Sequence, residues 1–309
     1  MNIEVKEWFR PAASGWGRIF SRSWTGENPI AVLVIAHGMA EHSGRYSHFA
    51  HFLAENGIAV YMNDHAGHGR SAQVKGHFAD ENGWDCVVRD LAALMDQAEA
   101  RHPQLPLFLM GHSMGSFLAR SFLTRYGQRL SGSVLCGTMG KNPGAAAGKV
   151  LAAAQIRLTG PRSTGKALNK LATSSYNREI HQPVNSSAWL STDDQVCLAF
   201  EADPLCNFPF TAAGYRDLFM GLGEISSLSW ARRVPKELPV FLVAGDQDPV
   251  GNYGQGPRQV GDWLVEAGVE DVRVKLYPGM RHEILNEIGK EEVYGDILQW
   301  LNRHMGTEE

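Results

Sequence analysis

Short apolar runs alternate with amphipathic helical segments along most of this 309-residue chain. The run Ile30–Ala36 is continuous and rich in β-branched residues, which is typical of a strand buried on both faces of a sheet. Further strands are indicated at Ile58–Met62, Leu105–Met110 and Gly132–Cys136, with helices at Tyr46–Glu55, Trp84–Arg101 and Met114–Tyr126. Strands that alternate with helices predict an α/β fold, with a mostly parallel sheet flanked by helices on both faces.

The alternation stops in the middle of the chain. From about 139 to 230 the sequence has helical patterns and Gly, Pro and Ser punctuation without a strong buried strand. Strand patterns return at Leu238–Ala244 and Val272–Tyr277, and the last helix is predicted at Glu291–His304. We therefore expect one α/β core formed by residues 1–138 and 231–309, interrupted by a mostly helical cap insertion at 139–230.

The charge and the cysteines of the chain indicate which partners and which cellular compartment to expect. The formal net charge is −4, so nothing favours a nucleic-acid partner. Charged residues near the N-terminus interrupt any signal-peptide core. The four cysteines lack metal-ligand spacing, which predicts free thiols in a reducing cytoplasm. The apolar segment Gly144–Leu158 is too short to span a bilayer and carries Lys149 and Arg157.

The segment from Gly111 to Gly115 reads Gly-His-Ser-Met-Gly, a Gly-x-Ser-x-Gly pattern. The pattern alone is modest evidence, but here it lies between a predicted strand and a predicted helix, the context of a nucleophile elbow. Glycines let strand and helix approach closely while the serine backbone adopts a strained conformation. Ser113 is therefore a candidate nucleophile. The alternative is a tight glycine turn without chemistry.

A serine nucleophile needs a general base, and the base needs an acid that orients it. His282 follows the predicted strand Val272–Tyr277, and Asp246 and Asp248 follow the strand before it. The order Ser, Asp, His is that of α/β-hydrolases. Spacing alone leaves the acid open between Asp246 and Asp248 and favours Asp248 only slightly. The other aspartate is expected to cap the turn.

Two backbone amides are candidates for an oxyanion hole. Met114 would begin the helix after Ser113, where free N–H groups face a developing negative charge. Met39 follows Gly38 in the loop after the strand Ile30–Ala36, and the glycine lets this loop turn inward beneath the serine. Each such donor is typically worth about 3 kcal/mol of transition-state stabilisation.

Histidines crowd the loops of the first third of the chain. Because they lie at glycine-rich turns and a serine mechanism needs no ion, the sequence predicts no metal site and no cofactor. They are His37, His42, His65, His68 and His112.

Five segments together resemble a known family: HGMAEHSGRY, DHAGHGRS, GHSMGS, GDQDPVG and RHEILNE. They are similar to the monoacylglycerol lipase and lysophospholipase-like serine hydrolases of the α/β-hydrolase superfamily, and the similarity runs over nearly the whole chain. The resemblance implies an α/β-hydrolase fold with a cap over an acyl-binding tunnel. It also implies Ser113 as nucleophile, Asp248 as acid, His282 as base, and the amides of Met39 and Met114 as the oxyanion hole.

The resemblance extends to the substrate side of the site. Glu41 and Arg45 match positions at which the family holds a polar head group, and a plain salt bridge that fixes the loop is an equal alternative. Leu285 stands where animal-type monoacylglycerol lipases carry a second histidine, which is a departure from a glycerol-specific site.

The functional hypothesis is a serine hydrolase that cleaves carboxylic esters of single-chain lipids, either monoacylglycerol or lysophospholipid, through an acyl-enzyme intermediate. The alternatives are a short-chain carboxylesterase or peptidase of the same fold, and a non-catalytic ligand-binding protein. The expected partner is a small acyl ester, with a transient contact between cap and membrane surface. A helix at Gly144–Leu158 would turn an apolar face to a bilayer, to the acyl chain or to the core.

Overall fold

The computed structural model describes residues 2–306, and within them the chain forms one eight-stranded sheet. The strands are β1 (Glu4–Pro11), β2 (Arg18–Thr25), β3 (Ala31–Ala36), β4 (Ile58–Asn63), β5 (Leu107–His112), β6 (Gly132–Cys136), β7 (Val240–Gly245) and β8 (Val272–Tyr277). Their order across the sheet is β1-β2-β4-β3-β5-β6-β7-β8. β2 pairs antiparallel with β1 and β4, and the remaining pairs are parallel.

Helices cover both faces of this sheet, so the predicted α/β-hydrolase architecture is confirmed. Those in the described residues are α1 (Ser47–Glu55), α2 (Gly83–Arg101), α3 (Met114–Tyr126), α4 (Ala145–Thr159), α5 (Lys166–Thr173), α6 (Asp194–Ala202), α7 (Ala212–Ile225), α8 (Leu228–Ala231), α9 (Gln255–Glu266) and α10 (Lys290–Arg303). Within residues 2–306, none of these helices combines the length and apolarity that a bilayer crossing requires.

Successive residues of β3 face opposite sides of the sheet and enter two different apolar cores. Val32 and Val34 pack in the core that includes residues of α2, α3 and α9. Leu33 and Ile35 pack in the core that includes residues of α1 and α10. All of β3 is buried, and its residues are therefore uniformly apolar instead of alternating.

Two predicted strands begin two residues too early, and in each the observed strand starts just after a proline. β5 begins at Leu107 after Pro106, and β7 begins at Val240 after Pro239. Proline has no N–H to donate to a ladder, so regular pairing starts at the following residue.

All of segment 139–230 is described, and it contributes no strand to the eight-stranded sheet. We call it the cap segment. It contains α4 to α7, and α8 crosses its predicted end by one residue. α4 and α7 pack closely, since a Cβ added to Gly148 of α4 would lie 2.6 Å from the ring of Phe219 on α7. We propose that this segment, which leaves the sheet after β6 and returns before β7, is a cap separate from the core.

Candidate active site

Ser113 lies between His112, the last residue of β5, and Met114, the first residue of α3. Its backbone has φ 53° and ψ −122°, a strained conformation for a residue with a Cβ. A Cβ added to Gly115 would collide with the carbonyl oxygen of Ala36 in β3, so only glycine permits this approach of helix and strand. The resulting sharp turn places Ser113 in the wall of a cavity that lies between the sheet and segment 139–230.

His282 follows β8 and meets Asp248, which follows β7. The distance from Nδ1 of His282 to Oδ1 of Asp248 is 2.9 Å, and both side chains are buried. A carboxylate only accepts hydrogen bonds, so the Nδ1 proton of a neutral ring points at Asp248 and the lone pair is on Nε2. Nε2 is buried and has no hydrogen-bond partner within residues 2–306. His282 lines the same cavity as Ser113, so its ring offers a base there.

The second candidate acid, Asp246, points elsewhere. Its Oδ1 accepts a hydrogen bond from the backbone N–H of Gly279 over 2.8 Å, in the turn that follows β8. The side chain is only half-buried. This is the turn-capping arrangement expected of the aspartate that does not orient the base.

The loop after β3 runs close beneath Ser113. A Cβ added to Gly38 would lie 3.2 Å from Cβ of Ser113 and 2.7 Å from Oε1 of Glu41, so a side chain does not fit there. Met39 follows directly and lines the cavity together with Met114. Because Met114 is the first residue of α3, its N–H has no acceptor within the helix.

Glu41 and Arg45 belong to a buried network beside Ser113. The Gly38 N–H donates to Glu41 Oε1 over 2.6 Å, which ties the carboxylate to the loop that follows β3. Arg45 donates to Glu41 over 2.8 Å and to both carboxylate oxygens of Glu283 over 2.5 and 2.6 Å. Glu41 and Glu283 line the cavity, whereas Arg45 lies behind them. The salt bridge that the sequence left open is therefore present, and it includes a third residue, Glu283.

The network keeps the Glu41 carboxylate charged. Burial opposes ionisation, but the hydrogen bond with His112 and the charge of Arg45 hold the pKa of Glu41 well below its usual range. Burial alone would lower the pKa of His112, but the hydrogen bond and the charge of Glu41 outweigh it, so the pKa of His112 is raised. His112 also lies with its ring centroid 4.8 Å from that of His282.

A cavity of about 920 Å³ opens from Ser113 into the space between the sheet edge and the cap segment. This is within the size range of small-molecule sites. Its walls are mostly apolar, and the helices α3, α4, α5 and α7 contribute to them. Among the wall residues are Met114, Phe117, Met139, Ala147, Leu218, Phe219 and Leu222.

Trp189, in the cap segment, is a residue that the sequence analysis did not single out. Its ring centroid lies 5.0 Å from that of His282, and its carbonyl accepts a hydrogen bond from the His282 N–H over 3.4 Å. The next carbonyl, of Leu190, accepts from the Glu283 N–H over 2.7 Å. Nothing local in the segment around Trp189 shows that it covers a histidine 93 residues away in the chain.

Three of the early histidines pack against one another, with their rings tilted or edge to face, beside the loop that follows β3. The His65 N–H donates to Nε2 of His37 over 3.0 Å, and the ring centroids of His37 and His68 lie 5.2 Å apart. Burial lowers the pKa of His65 to about 3 and that of His68 to about 4, so these rings are neutral at pH 7. They fill a packed, hydrogen-bonded space, as structural histidines do.

One other group, His42, Asp203 and Cys206, brings three metal-ligand atoms within 4.8 Å of one another. Nδ1 of His42 accepts a hydrogen bond from the Gly44 N–H over 3.2 Å, so the proton of the neutral ring is on Nε2, which donates to Asp203 over 2.9 Å. A metal at Nε2 would force a proton onto Nδ1, facing the Gly44 N–H. This donor set therefore fits a hydrogen bond between loop and cap segment better than it fits a metal ion.

Known proteins share both the sequence and the fold. Residues 27–289 match the family described as serine aminopeptidase, S33. A monoacylglycerol lipase of Mycolicibacterium smegmatis is 33% identical over 95% of this chain and 96% of its own. The human monoglyceride lipase is 28% identical over 94% of this chain and 88% of its own.

Among solved structures, a thermostable carboxyl esterase from Bacillus coagulans, in complex with glycerol, superposes with a TM-score of 0.93 at 31% identity. The match covers 98% of this chain and all of that one. The sequence matches, the sheet topology and the strained turn at Ser113 all indicate an α/β-hydrolase. The chain belongs to the serine aminopeptidase S33 family and is a hydrolase of the α/β-hydrolase superfamily.

Proposed function

We propose that this protein hydrolyses carboxylic esters of single-chain lipids, monoacylglycerols above all, through a Ser113–His282–Asp248 triad. The observation that carries the proposal is the position of the strained serine turn and the buried His282–Asp248 pair on one large apolar cavity. The names of the relatives from Mycolicibacterium smegmatis and human support the substrate class.

Acylation begins when Nε2 of His282 takes the proton of Ser113 as Oγ attacks the ester carbonyl carbon. The carbonyl oxygen becomes an oxyanion that accepts hydrogen bonds from the amides of Met39 and Met114. Asp248 stabilises the imidazolium and holds the ring. His282 then gives its proton to the leaving alcohol as the C–O bond breaks, which leaves the acyl group on Ser113.

Deacylation repeats these steps with water as the nucleophile. His282 takes a proton from water, the hydroxide attacks the acyl carbonyl, and the returning proton restores the Ser113 hydroxyl as the carboxylic acid leaves. Two oxyanion donors at about 3 kcal/mol each account for roughly four orders of magnitude in rate.

The shape and polarity of the cavity favour one acyl chain as the group on the carbonyl side. Apolar side chains from α3 and α7 form its walls, so each methylene that enters is removed from water at a gain of about 0.8 kcal/mol. A short-chain ester or a peptide would leave much of this space unused. The size and apolarity of the cavity therefore favour a lipid ester over the substrates of a short-chain carboxylesterase or a peptidase of the same fold.

The polar end of the site favours a neutral head group over a phosphate. Beside the nucleophile, the carboxylates of Glu41 and Glu283 outnumber the one guanidinium of Arg45. A glycerol hydroxyl can donate to these carboxylates, whereas a phosphate is repelled by them. The glycerol bound to the related esterase supports this choice.

Glu41 is therefore proposed as a head-group contact, and Arg45 as the residue that fixes the Glu41 and Glu283 carboxylates. Leu285, which stands where animal-type enzymes carry a second histidine, is 4% exposed and packs in the core beneath α10. The head group must consequently be held without a side chain from this position.

We also propose that the cap segment contacts a lipid surface while substrate enters. Three large apolar residues on α4 are exposed: Val150 by 68%, Leu151 by 49% and Leu158 by 82%. Their spacing places them on one face of the helix, turned away from α7. The sequence left open whether this face packs on the core, and in the structure it faces solvent.

The test is an ester panel on purified protein. The parent is expected to label with a fluorophosphonate probe and to cleave a long-chain monoacylglycerol faster than its acetyl counterpart. Ser113→Ala should lose labelling and lower kcat by roughly 10⁴-fold or more, with an unchanged circular dichroism spectrum. Activity that peaks at acetyl esters would replace the lipid by a short ester, and unchanged hydrolysis by Ser113→Ala would remove the triad.

A further inference from the structure

Arg120 lies on α3, less than two turns after Met114, and its side chain is 0% exposed. Complete burial of a guanidinium is uncommon because the charge loses its hydration, and carboxylate partners normally compensate. Among residues 2–306, no carboxylate forms an ion pair with Arg120, and burial lowers its pKa to about 9. The side chain still carries its charge at pH 7, so other groups must stabilise it.

Backbone carbonyls and an aromatic ring take this role. One arm of the guanidinium, Nη1, donates to the carbonyl of Met139 over 2.7 Å, and the other arm, Nη2, donates to the carbonyl of Ile225. The guanidinium carbon lies 4.4 Å from the centroid of the Trp230 ring, a cation–π contact. Nε1 of Trp230 donates in turn to the Arg120 carbonyl over 2.7 Å.

These partners are at the two places where the chain passes between core and cap segment. Met139 is the first residue of the cap segment, three residues after β6 ends. Ile225 is the last residue of α7. The carbonyls at the C-terminal end of a helix have no N–H donor within the helix, and their partial negative charge attracts a cation. Trp230 lies in α8, on the returning connection. One buried cation therefore contacts both connections at once.

We propose that Arg120 is a positioning residue that ties both connections of the cap segment to α3 and so fixes the width of the acyl cavity. The cavity walls support this link. Met139, whose carbonyl accepts the hydrogen bond from Arg120, also lines the cavity. Leu222 lines it from the last turn of α7. If the connections loosen, these walls move relative to Phe117 of α3, which also lines the cavity.

The backbone beside the base has its own hydrogen bond to the sheet. Gly137, two residues before Met139, lies against the base, since a Cβ added there would be 3.1 Å from Cε1 of His282. Its N–H donates to the carbonyl of Val243 in β7 over 2.9 Å, which ties it to the sheet. Loss of Arg120 should consequently disturb the acyl walls more than the triad.

The variants are Arg120→Lys and Arg120→Met, with Arg125→Met as the matched control. Arg125 lies on the same helix but is partly exposed, with Asp85 and Glu224 as ion-pair partners. Lysine keeps the charge, yet its single ammonium group cannot reach both carbonyls as the two-armed guanidinium does. Should Arg120→Met fail to fold, as judged by circular dichroism, Arg120→Lys carries the test.

The kinetic readout compares two esters and rests on the proposed function. For Arg120→Lys, kcat/KM for a long-chain monoacylglycerol should fall about tenfold or more, mainly through KM, while kcat/KM for p-nitrophenyl acetate stays within about threefold of the parent. Arg125→Met should change neither. Equal losses on both esters, or an unchanged ratio, would overturn the positioning role.

The second readout needs no substrate, so it separates failure of this inference from failure of the proposed function. Hydrogen exchange at the amides of 138–145 and 222–232 should be faster in Arg120→Lys than in the parent and Arg125→Met, while exchange in β5 and β6 stays the same. Unchanged exchange in both connections would refute the inference, whatever esters the parent hydrolyses.

Discussion

Asp248 and His282 lie at the carboxyl ends of neighbouring strands, and Oδ1 of Asp248 is 2.9 Å from Nδ1 of His282 with both side chains buried. The backbone N–H of Val250 donates to the same carboxylate oxygen over 2.8 Å. The aspartate is thus held from one side by its own turn while it orients the imidazole from the other.

Replacing each carboxylate in turn tests which aspartate, Asp246 or Asp248, is the acid that orients His282. Asp248→Asn should lower kcat by about 10⁴-fold, because an amide can favour the wrong histidine tautomer. Asp246→Asn, which alters the hydrogen bonds that Asp246 accepts from Gly279 and Gln247 in its turn, should change kcat by less than about threefold. Steady-state rates on a monoacylglycerol check both variants. A severe loss for Asp246→Asn with a mild one for Asp248→Asn would move the acid role to Asp246.

The elements of the core were predictable because each carries its own local pattern. β3 is a continuous apolar run because both of its faces are covered, and Gly115 beside Ser113 marks a close approach of strand and helix. Parallel strands end at the same sheet edge, so residues after β7 and β8 could be expected near Ser113.

Contacts between segments that are distant in the chain could not be predicted from local sequence patterns. Trp189 over His282, and the two carbonyls bound by Arg120, depend on how the cap segment folds back, and no periodicity encodes that. Glu283 was likewise visible as part of a motif, but its bidentate pairing with Arg45 joins loops 238 residues apart. Such pairings are specified by tertiary packing alone.

The contact between Gly148 of α4 and the ring of Phe219 on α7 predicts how chain-length preference can be changed. A side chain at 148 would push this ring into the cavity, since even a Cβ would lie 2.6 Å from it. Gly148→Val should therefore shift the preferred acyl chain to shorter lengths, with the ratio of kcat/KM for a C16 over a C8 monoacylglycerol falling about tenfold. Gly223→Val on α7, where no atom lies within 4 Å of an added Cβ and the residue does not line the cavity, is the control. An unchanged ratio for Gly148→Val would mean that acyl chains do not reach Phe219.

The carboxylates of Glu41 and Glu283 predict discrimination between head groups. Each unit of negative charge on a phosphate at roughly 8 Å from a net charge of −1 is disfavoured by about 2 kcal/mol at an effective dielectric constant of about 20, or roughly 30-fold in kcat/KM. At pH 8 the protein should thus hydrolyse a monoacylglycerol faster than the lysophosphatidic acid of the same chain. Lys141 and Lys170 also line the cavity, from the cap segment. Faster hydrolysis of the anionic lipid would place the head group at these lysines instead.

The exposed apolar face of α4 predicts binding to anionic vesicles. Between 139 and 178 the chain has seven Lys or Arg residues and no Asp or Glu, so the cap segment presents positive charge around this face. Leu158→Asp should weaken flotation with vesicles that contain phosphatidylglycerol, since it removes apolar burial and adds a repelled charge. Val265→Asp, on the exposed surface of α9, should float like the parent. Parent binding no stronger than that of an unrelated globular protein would contradict the proposed contact.

Buried Asp217 on α7 predicts a pH-dependent contribution to stability. It is 1% exposed, and burial raises its pKa from 3.8 to about 6 against the opposing charge of Arg216. The folded state therefore favours the protonated form, and the stability that this provides below about pH 4 is lost as the pH rises through about 6. Asp217→Asn stays neutral, so its free energy of unfolding relative to the parent should rise between pH 4 and 7, by at most about 3 kcal/mol. Urea unfolding at both pH values measures the difference, with Asp262→Asn, an exposed position on α9, as the control. If the difference between Asp217→Asn and the parent is the same at both pH values, the buried carboxyl does not titrate on unfolding, and its pKa in the folded protein is ordinary.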